Sequence, residues 1–214
     1  MAFERARKQM VINQLARRGL RDARVLDAMG SVPREAFVGA ELEELAYQDN
    51  PLPIGEGQTI SQPYIVAAMT EAAKLLPADR VLEVGAGSGY GAAILSRVAG
   101  QIFSVERHDC LTVAARKRCQ ALGYDNITFK TADGSVGWPE EAPFDAILVA
   151  AGVLLPPEAL KRQLTNGGRL IVPVGDASEQ RLLRIRRQGE QEFQQDDLGG
   201  VRFVPLIGAE GWPE

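Results

Sequence analysis

Two stretches of this sequence carry groups that can do chemistry. The first is "GQTISQPY", residues 57–64, with two hydroxyls (Thr59, Ser61), two amides (Gln58, Gln62) and no charge. Such groups hydrogen-bond an anion without adding a countercharge. The second is "EVGAGSGYG", residues 83–91, where Gly85, Gly87 and Gly89 alternate behind Glu83. Glycines in a turn let the backbone approach a ligand closely. Two further acids follow: Glu106 closes "QIFSVE", and Asp133, beside Gly134, closes "ITFKTAD". A carboxylate can accept two hydrogen bonds from a ribose diol. Each acid could equally be a polar residue capping a strand end. Three in succession around one crevice favour the ligand-binding reading.

The elements that must position these groups follow from periodicity. Residues 4–29 read as helix, broken by "GSVPREAF" at Gly30 and Pro33. "NPLPIGEG" reads as a turn-rich connection, and "IVAAMTEAAKLL" as a helix. From residue 80 short apolar runs alternate with helical stretches. Strands are expected over 80–85, 101–106, 127–133, 144–151 and 167–175, and helices over 90–99, 109–123 and 156–164. This alternation, with apolar strands, predicts an α/β fold: a doubly wound, mostly parallel Rossmann-like sheet with helices on both faces. After residue 180, "RLLRIRRQG" and "QEFQQDDLGGVRFVPL" read as two strands without a helix between them, an antiparallel edge. One domain over 1–214 is expected. It comprises an N-terminal helical extension and loop (1–56), an α/β core (57–175) and C-terminal strands (176–214).

Composition narrows the class. The chain has 214 residues, 45% of them hydrophobic, enough for one sizeable core. No apolar run of about 18 residues exists to span a membrane. The N-terminus lacks the apolar region and cleavage site of a secretory signal. Its Arg-rich amphipathic pattern fits a docking helix better than a mitochondrial presequence. A net charge of −4 argues against a broad nucleic-acid surface. Cys110 and Cys119 stand nine residues apart; on one helix they lie roughly 13 Å apart and cannot bridge. His108, alone, makes no His-rich metal site. A reduced, cytoplasmic, monomeric enzyme without a metal is the expectation.

The glycine turn discriminates between cofactors. The dinucleotide fingerprint needs glycines at its first, third and sixth positions, and counting from Gly85 the sixth is Tyr90. Glu-x-Gly-x-Gly-x-Gly instead resembles motif I of class I methyltransferases that use S-adenosylmethionine. That cofactor carries an amino group, a carboxylate and a sulfonium, and no pyrophosphate. Base amino-methylating enzymes often place Asn or Asp before Pro-Pro-Tyr or Pro-Pro-Phe after the fourth strand. Here Pro156-Pro157 follow Leu155 and precede Glu158. No Cys, His or Lys stands where a weak nucleophile would need activation. A carboxylate acceptor needs none, because a free α-carboxyl has a pKa of about 3.3–3.7 and is ionised at pH 7.

Four segments in order, "PIGEGQTISQPYIVAAMTEAAKLL", "VLEVGAGSGYGAAILS", "DGSVGWPEEAPFDAILVAA" and "LKRQLTNGGRLIVPVG", closely resemble protein-L-isoaspartate O-methyltransferases. The resemblance covers essentially the whole chain. It implies a repair enzyme that methylates the α-carboxyl of L-isoaspartyl (and D-aspartyl) residues in damaged proteins. It implies a catalytic role for Ser61, with Thr59 and Ile60 in the same cofactor- and substrate-contacting motif. It further implies that Glu83, Gly85 and Gly87 line the methionine end of the cofactor. Glu106 would contact the ribose, and Asp133 with Gly134 the adenine. Some family members have His where this chain has Tyr64 and Thr where it has Ile207, so roles tied to those residues do not transfer. Ser61 also has the position of a helix N-cap before Pro63, a reading compatible with the catalytic one.

Overall fold

A computed structural model describes residues 2–213. The chain opens with α1 (Ala2–Met10), which widens into a π-helical turn over Val11–Leu15 and tightens into a 3-10 turn over Ala16–Arg18. Gly19 then takes a left-handed φ of 102° and ends the run. A second helix, α2 (Ala23–Ser31), starts at Asp22, whose carboxylate accepts the Arg24 N–H. The single helix expected over 4–29 is therefore two helices, divided by the only kind of residue that takes this turn without strain.

The turn-rich connection expected over 50–57 holds the first strand and turn of a small antiparallel hairpin, β1 (Leu52–Gly55), whose second strand, β2 (Gln58–Ile60), falls in the polar stretch that follows. It leads into α3 (Pro63–Ala72). The core then runs β3 (Arg80–Val84), α4 (Tyr90–Ser96), β4 (Gln101–Glu106), α5 (Asp109–Ala121), β5 (Ile127–Thr131) and β6 (Phe144–Val149). It continues through a short α6 (Glu158–Arg162), β7 (Leu164–Gly175), β8 (Gln180–Arg187) and β9 (Phe193–Val201). Helix α6 is shorter than expected and β7 starts earlier, because Leu164 already pairs with Phe144 ahead of an irregularity in register.

The sheet order is β5-β4-β3-β6-β7-β8-β9, parallel from β5 to β7 and antiparallel at β8 and β9. The expected α/β fold with an antiparallel edge is what forms. Alternation along β3 divides the core. Val81 joins a cluster with Leu15, Met29, Phe37 and Tyr90, and Leu82 and Val84 join a second one with Phe103, Phe144 and Leu160. The N-terminal extension thus packs on the face to which Glu83 also points. Among the described residues no helix is long and apolar enough to cross a membrane.

One buried ion pair joins the sheet to α3. Arg169 on β7 donates to Asp79 Oδ2 (2.7 Å), Ala73 O (2.7 Å), Lys74 O (2.9 Å) and Asp145 O (2.9 Å). Asp79 also accepts the Leu76 N–H at 3.0 Å. Both side chains are nearly buried, at 15% and 9% exposure. Removing one partner strands the other, so Asp79→Ala is expected to lower the unfolding free energy by about 3 kcal/mol, measured by urea denaturation.

Candidate active site

The strand order reverses between β3 and β6, and ligands of such sheets bind at this crevice, beyond the strands' carboxyl ends. A cavity of about 660 Å³ opens there, within the range of small-molecule sites. Its wall combines residues 58–62 of the hairpin and α3 entry, the turn after β3, Glu106 and Gly134. Ala150, Ala151, residues 200–207 and Arg18 complete it.

The turn after β3 is shaped by its glycines. Gly85, Gly87 and Gly89 all take positive φ (93°, 51° and 90°). A Cβ on Gly87 would stand 3.1 Å from Ile54 Cδ1, so the β1–β2 hairpin lies directly over the turn. At Gly91, the second residue of α4, a Cβ would fall 2.2 Å from Glu83 Oε1. The glycine makes the space that the Glu83 side chain occupies.

Glu83 and Glu106 are both buried, at 5% exposure, and both line the cavity. Parallel pairing sets Ser104 opposite Glu83, and the Ser104 hydroxyl donates to Glu83 Oε2. Burial pushes the Glu83 carboxyl up from 4.5 to about 8; the Ser104 bond opposes this and the Glu106 charge reinforces it. Glu106 accepts the Gly87 N–H (2.9 Å) on one oxygen and the His108 N–H (3.0 Å) on the other. A carboxylate has about four acceptor sites, so two remain for a ligand diol.

Asp133 is the expected site residue that stays out of the cavity wall. Its carboxylate accepts the N–H and hydroxyl of Ser135 (2.8 and 2.7 Å) and the N–H of Ala209 (2.8 Å). Against partial desolvation, the Ala209 and Ser135 bonds hold its pKa below the ordinary carboxylate value. It anchors the C-terminal segment, while its neighbour Gly134 lines the cavity.

Thr59, Ile60 and Ser61 all line the cavity. Ser61 does not cap α3: the N-cap position belongs to Gln62, which forms no side-chain cap. Asp49 takes the capping role from a distance. It accepts the Tyr64 N–H at 3.4 Å and Gln62 Nε2 at 2.7 Å. Arg18, Asp49 and residues 200–207 were absent from the residues expected at the site, and Gln62 was noted for its amide without an assigned role. Arg18 and the C-terminal run reach it through contacts distant in sequence, which no local pattern records. Gln62 lay inside the polar stretch itself, and its amide was the available signal.

Glu83 gives a pH signature. Its folded pKa lies above its unfolded one, so the stability it contributes is complete below about 4.5 and is lost as pH rises towards 8. Glu83→Gln removes this loss. In urea unfolding without cofactor, the variant is expected to gain on the native protein from pH 5 to pH 8 by on the order of 3 kcal/mol. A constant gap would contradict a buried titrating carboxyl.

The family model described as Protein-L-isoaspartate(D-aspartate) O-methyltransferase matches residues 6–211. A protein-L-isoaspartate O-methyltransferase 2 from Pelobacter propionicus is 57% identical over 98% of this chain and 93% of its own length. One from Brucella anthropi is 57% identical over 99% and 98% respectively. A solved protein-L-isoaspartate O-methyltransferase superposes with a TM-score of 0.86 at 32% identity, over 95% of this chain and 66% of that one. A Plasmodium falciparum structure titled as the same type of enzyme, in complex with S-adenosyl-L-homocysteine, superposes at 0.82 with 28% identity, over 94% and 98%. Motif order, fold and near full-length identity agree: the chain belongs to the protein-L-isoaspartate(D-aspartate) O-methyltransferase family.

Proposed function

We propose that this protein transfers a methyl group from S-adenosylmethionine to the α-carboxyl of L-isoaspartyl and D-aspartyl residues in damaged proteins. The observation that carries the reading is the composition of one cavity wall. Buried acids at the ends of β3 and β4 face the same space as the uncharged Thr59–Gln62 segment. The hydroxyls of Thr59 and Ser61 have no hydrogen-bond partner within the described residues, so both are free for a ligand.

The cofactor supplies an electrophilic methyl group on a sulfonium. The space fits it: Glu83 is a buried carboxyl that an α-ammonium group would ionise, and Glu106 retains acceptor sites for a ribose diol. Gly85, Gly87 and Gly134 are assigned to the same cofactor wall, Thr59 and Ile60 to the junction between cofactor and peptide. Asp133 supports this wall indirectly by holding residues 208–209.

Ser61 is assigned the catalytic position. The acceptor arrives already ionised, so the chain need not remove a proton. Its task is to hold the carboxylate in line and to exclude water. A free hydroxyl and the Gln62 amide do so without a competing charge. The net charge of −4 speaks against a broad nucleic-acid surface, and two free cysteines fit the reducing cytoplasm.

Two measurements test the reading. Labelled S-adenosylmethionine is offered with two peptides that differ only in Asp or isoAsp; label is expected in the isoAsp peptide alone, and equal labelling refutes the assignment. Ser61→Ala is expected to lower kcat by roughly 10- to 100-fold through lost alignment. Its cofactor Kd by calorimetry should move no more than about twofold. Unchanged turnover would remove Ser61 from the mechanism.

A further inference from the structure

Arg18 brings a charge from the N-terminal extension to the cavity wall. Its Nη1 lies 2.6 Å from Asp49 Oδ2, and its guanidinium stands 3.4 Å from the centre of the Tyr64 ring. The same carboxylate holds Gln62 Nε2 at 2.7 Å, and Gln62 directly follows Ser61. One ion pair therefore rests against the segment that meets the substrate. The remaining charged groups of the wall are Glu83, Glu106 and Arg107 at the ends of β3 and β4, and Arg202, which comes from the C-terminal run and not from the hairpin side.

A carboxylate nucleophile makes opposed demands on its surroundings. An uncancelled cation beside it would bind it tightly and blunt its nucleophilicity. That is binding gained in the ground state, which does not speed the chemical step. An uncancelled anion would repel it. On the carboxyl-methylation reading above, we infer that Arg18 and Asp49 form a charge-balanced positioning pair. They fix the Thr59–Gln62 segment and keep the hairpin side of the cavity close to neutral, so that on this side hydroxyl and amide groups hold the substrate carboxylate. Neither residue gives or takes a proton. Tyr64 shields one face of the guanidinium and limits its reach towards the peptide.

The two halves of the pair make opposite predictions. Asp49→Asn keeps one oxygen for the Tyr64 N–H, its new NH2 can be accepted by the Gln62 amide once that amide turns over, and Arg18 is left uncancelled. KM for the isoAsp peptide is expected to fall by about three- to tenfold, and kcat to fall with it. Arg18→Gln leaves Asp49 uncancelled, and KM is expected to rise by about three- to tenfold. Arg18→Lys restores the charge without the stacked plane and recovers most of that rise. The double variant D49N/R18Q returns KM to between the two single variants, and both single shifts shrink as salt is raised from 0.05 to 0.5 M (roughly 14 to 4 Å of screening length). Thermal midpoints confirm that each variant is folded. If both single variants raise KM, or if the shifts ignore salt, the pair is a structural tie only and the inference fails. Wild-type enzyme that labels Asp and isoAsp peptides alike would overturn the functional reading instead.

Discussion

Strand β3 lies between β4 and β6, and all three run the same way. At its end the backbone is held from both sides: Gly85 and Ala86 donate to Val105 O, and Ala150 donates to Val84 O. These bonds fix where the glycine turn begins. With the turn fixed, Gly87 meets the Glu106 carboxylate and α4 starts close enough to enclose Glu83. Parallel register adds the last constraint, because it sets Ser104 beside Glu83 on the same face. The carboxyl group is then buried, paired with a hydroxyl and reluctant to ionise. That state suits a ligand arriving with its own positive charge.

The cavity has two ends with different electrostatics, and they come from different parts of the chain. The end to which the proposed function assigns the cofactor is built at strand termini, where rigid backbone positions acids. The other end, to which the proposed function assigns the peptide, is built from the hairpin, the entry to α3, the C-terminal run and Arg18. Acids attract a cationic ligand; neutral donors hold an anionic acceptor without weakening it. On the proposed function, this division lets one space accept two partners of opposite charge.

The strand-end part of the cavity wall was legible in the sequence because its determinants are local. Glu83, Gly85, Gly87 and Glu106 follow strands whose apolar runs show in the pattern, and all four line the cavity. Asp133 fits the same pattern, yet its carboxylate is turned onto Ser135 and Ala209. That outcome depends on a segment 76 residues away, which the ending of β5 could not reveal. The hairpin at 52–60 was concealed by its Gly and Pro content and its short strands. The division of the first helix at Gly19 was marked by the glycine, but the surrounding apolar spacing continued through it. The α/β alternation and the antiparallel edge were readable throughout, since each rests on runs of consecutive residues.

Ser61 shows why the distant contacts matter. Read locally, a serine before Gln-Pro and an apolar helix is a cap, and a capping hydroxyl is engaged by backbone N–H groups. In the fold, α3 begins one residue later, with Pro63 at its first position supplying no N–H. The next N–H, that of Tyr64, goes to Asp49. Asp49 in turn is held by Arg18, from the extension before the core. The helix entry is thus satisfied from outside, and the Ser61 hydroxyl is released to face the cavity. A core without that extension would keep its cofactor acids but lose the charge pair that frees and flanks the serine. The N-terminal extension therefore shapes the cavity wall through Arg18 and is not merely a cover for the sheet.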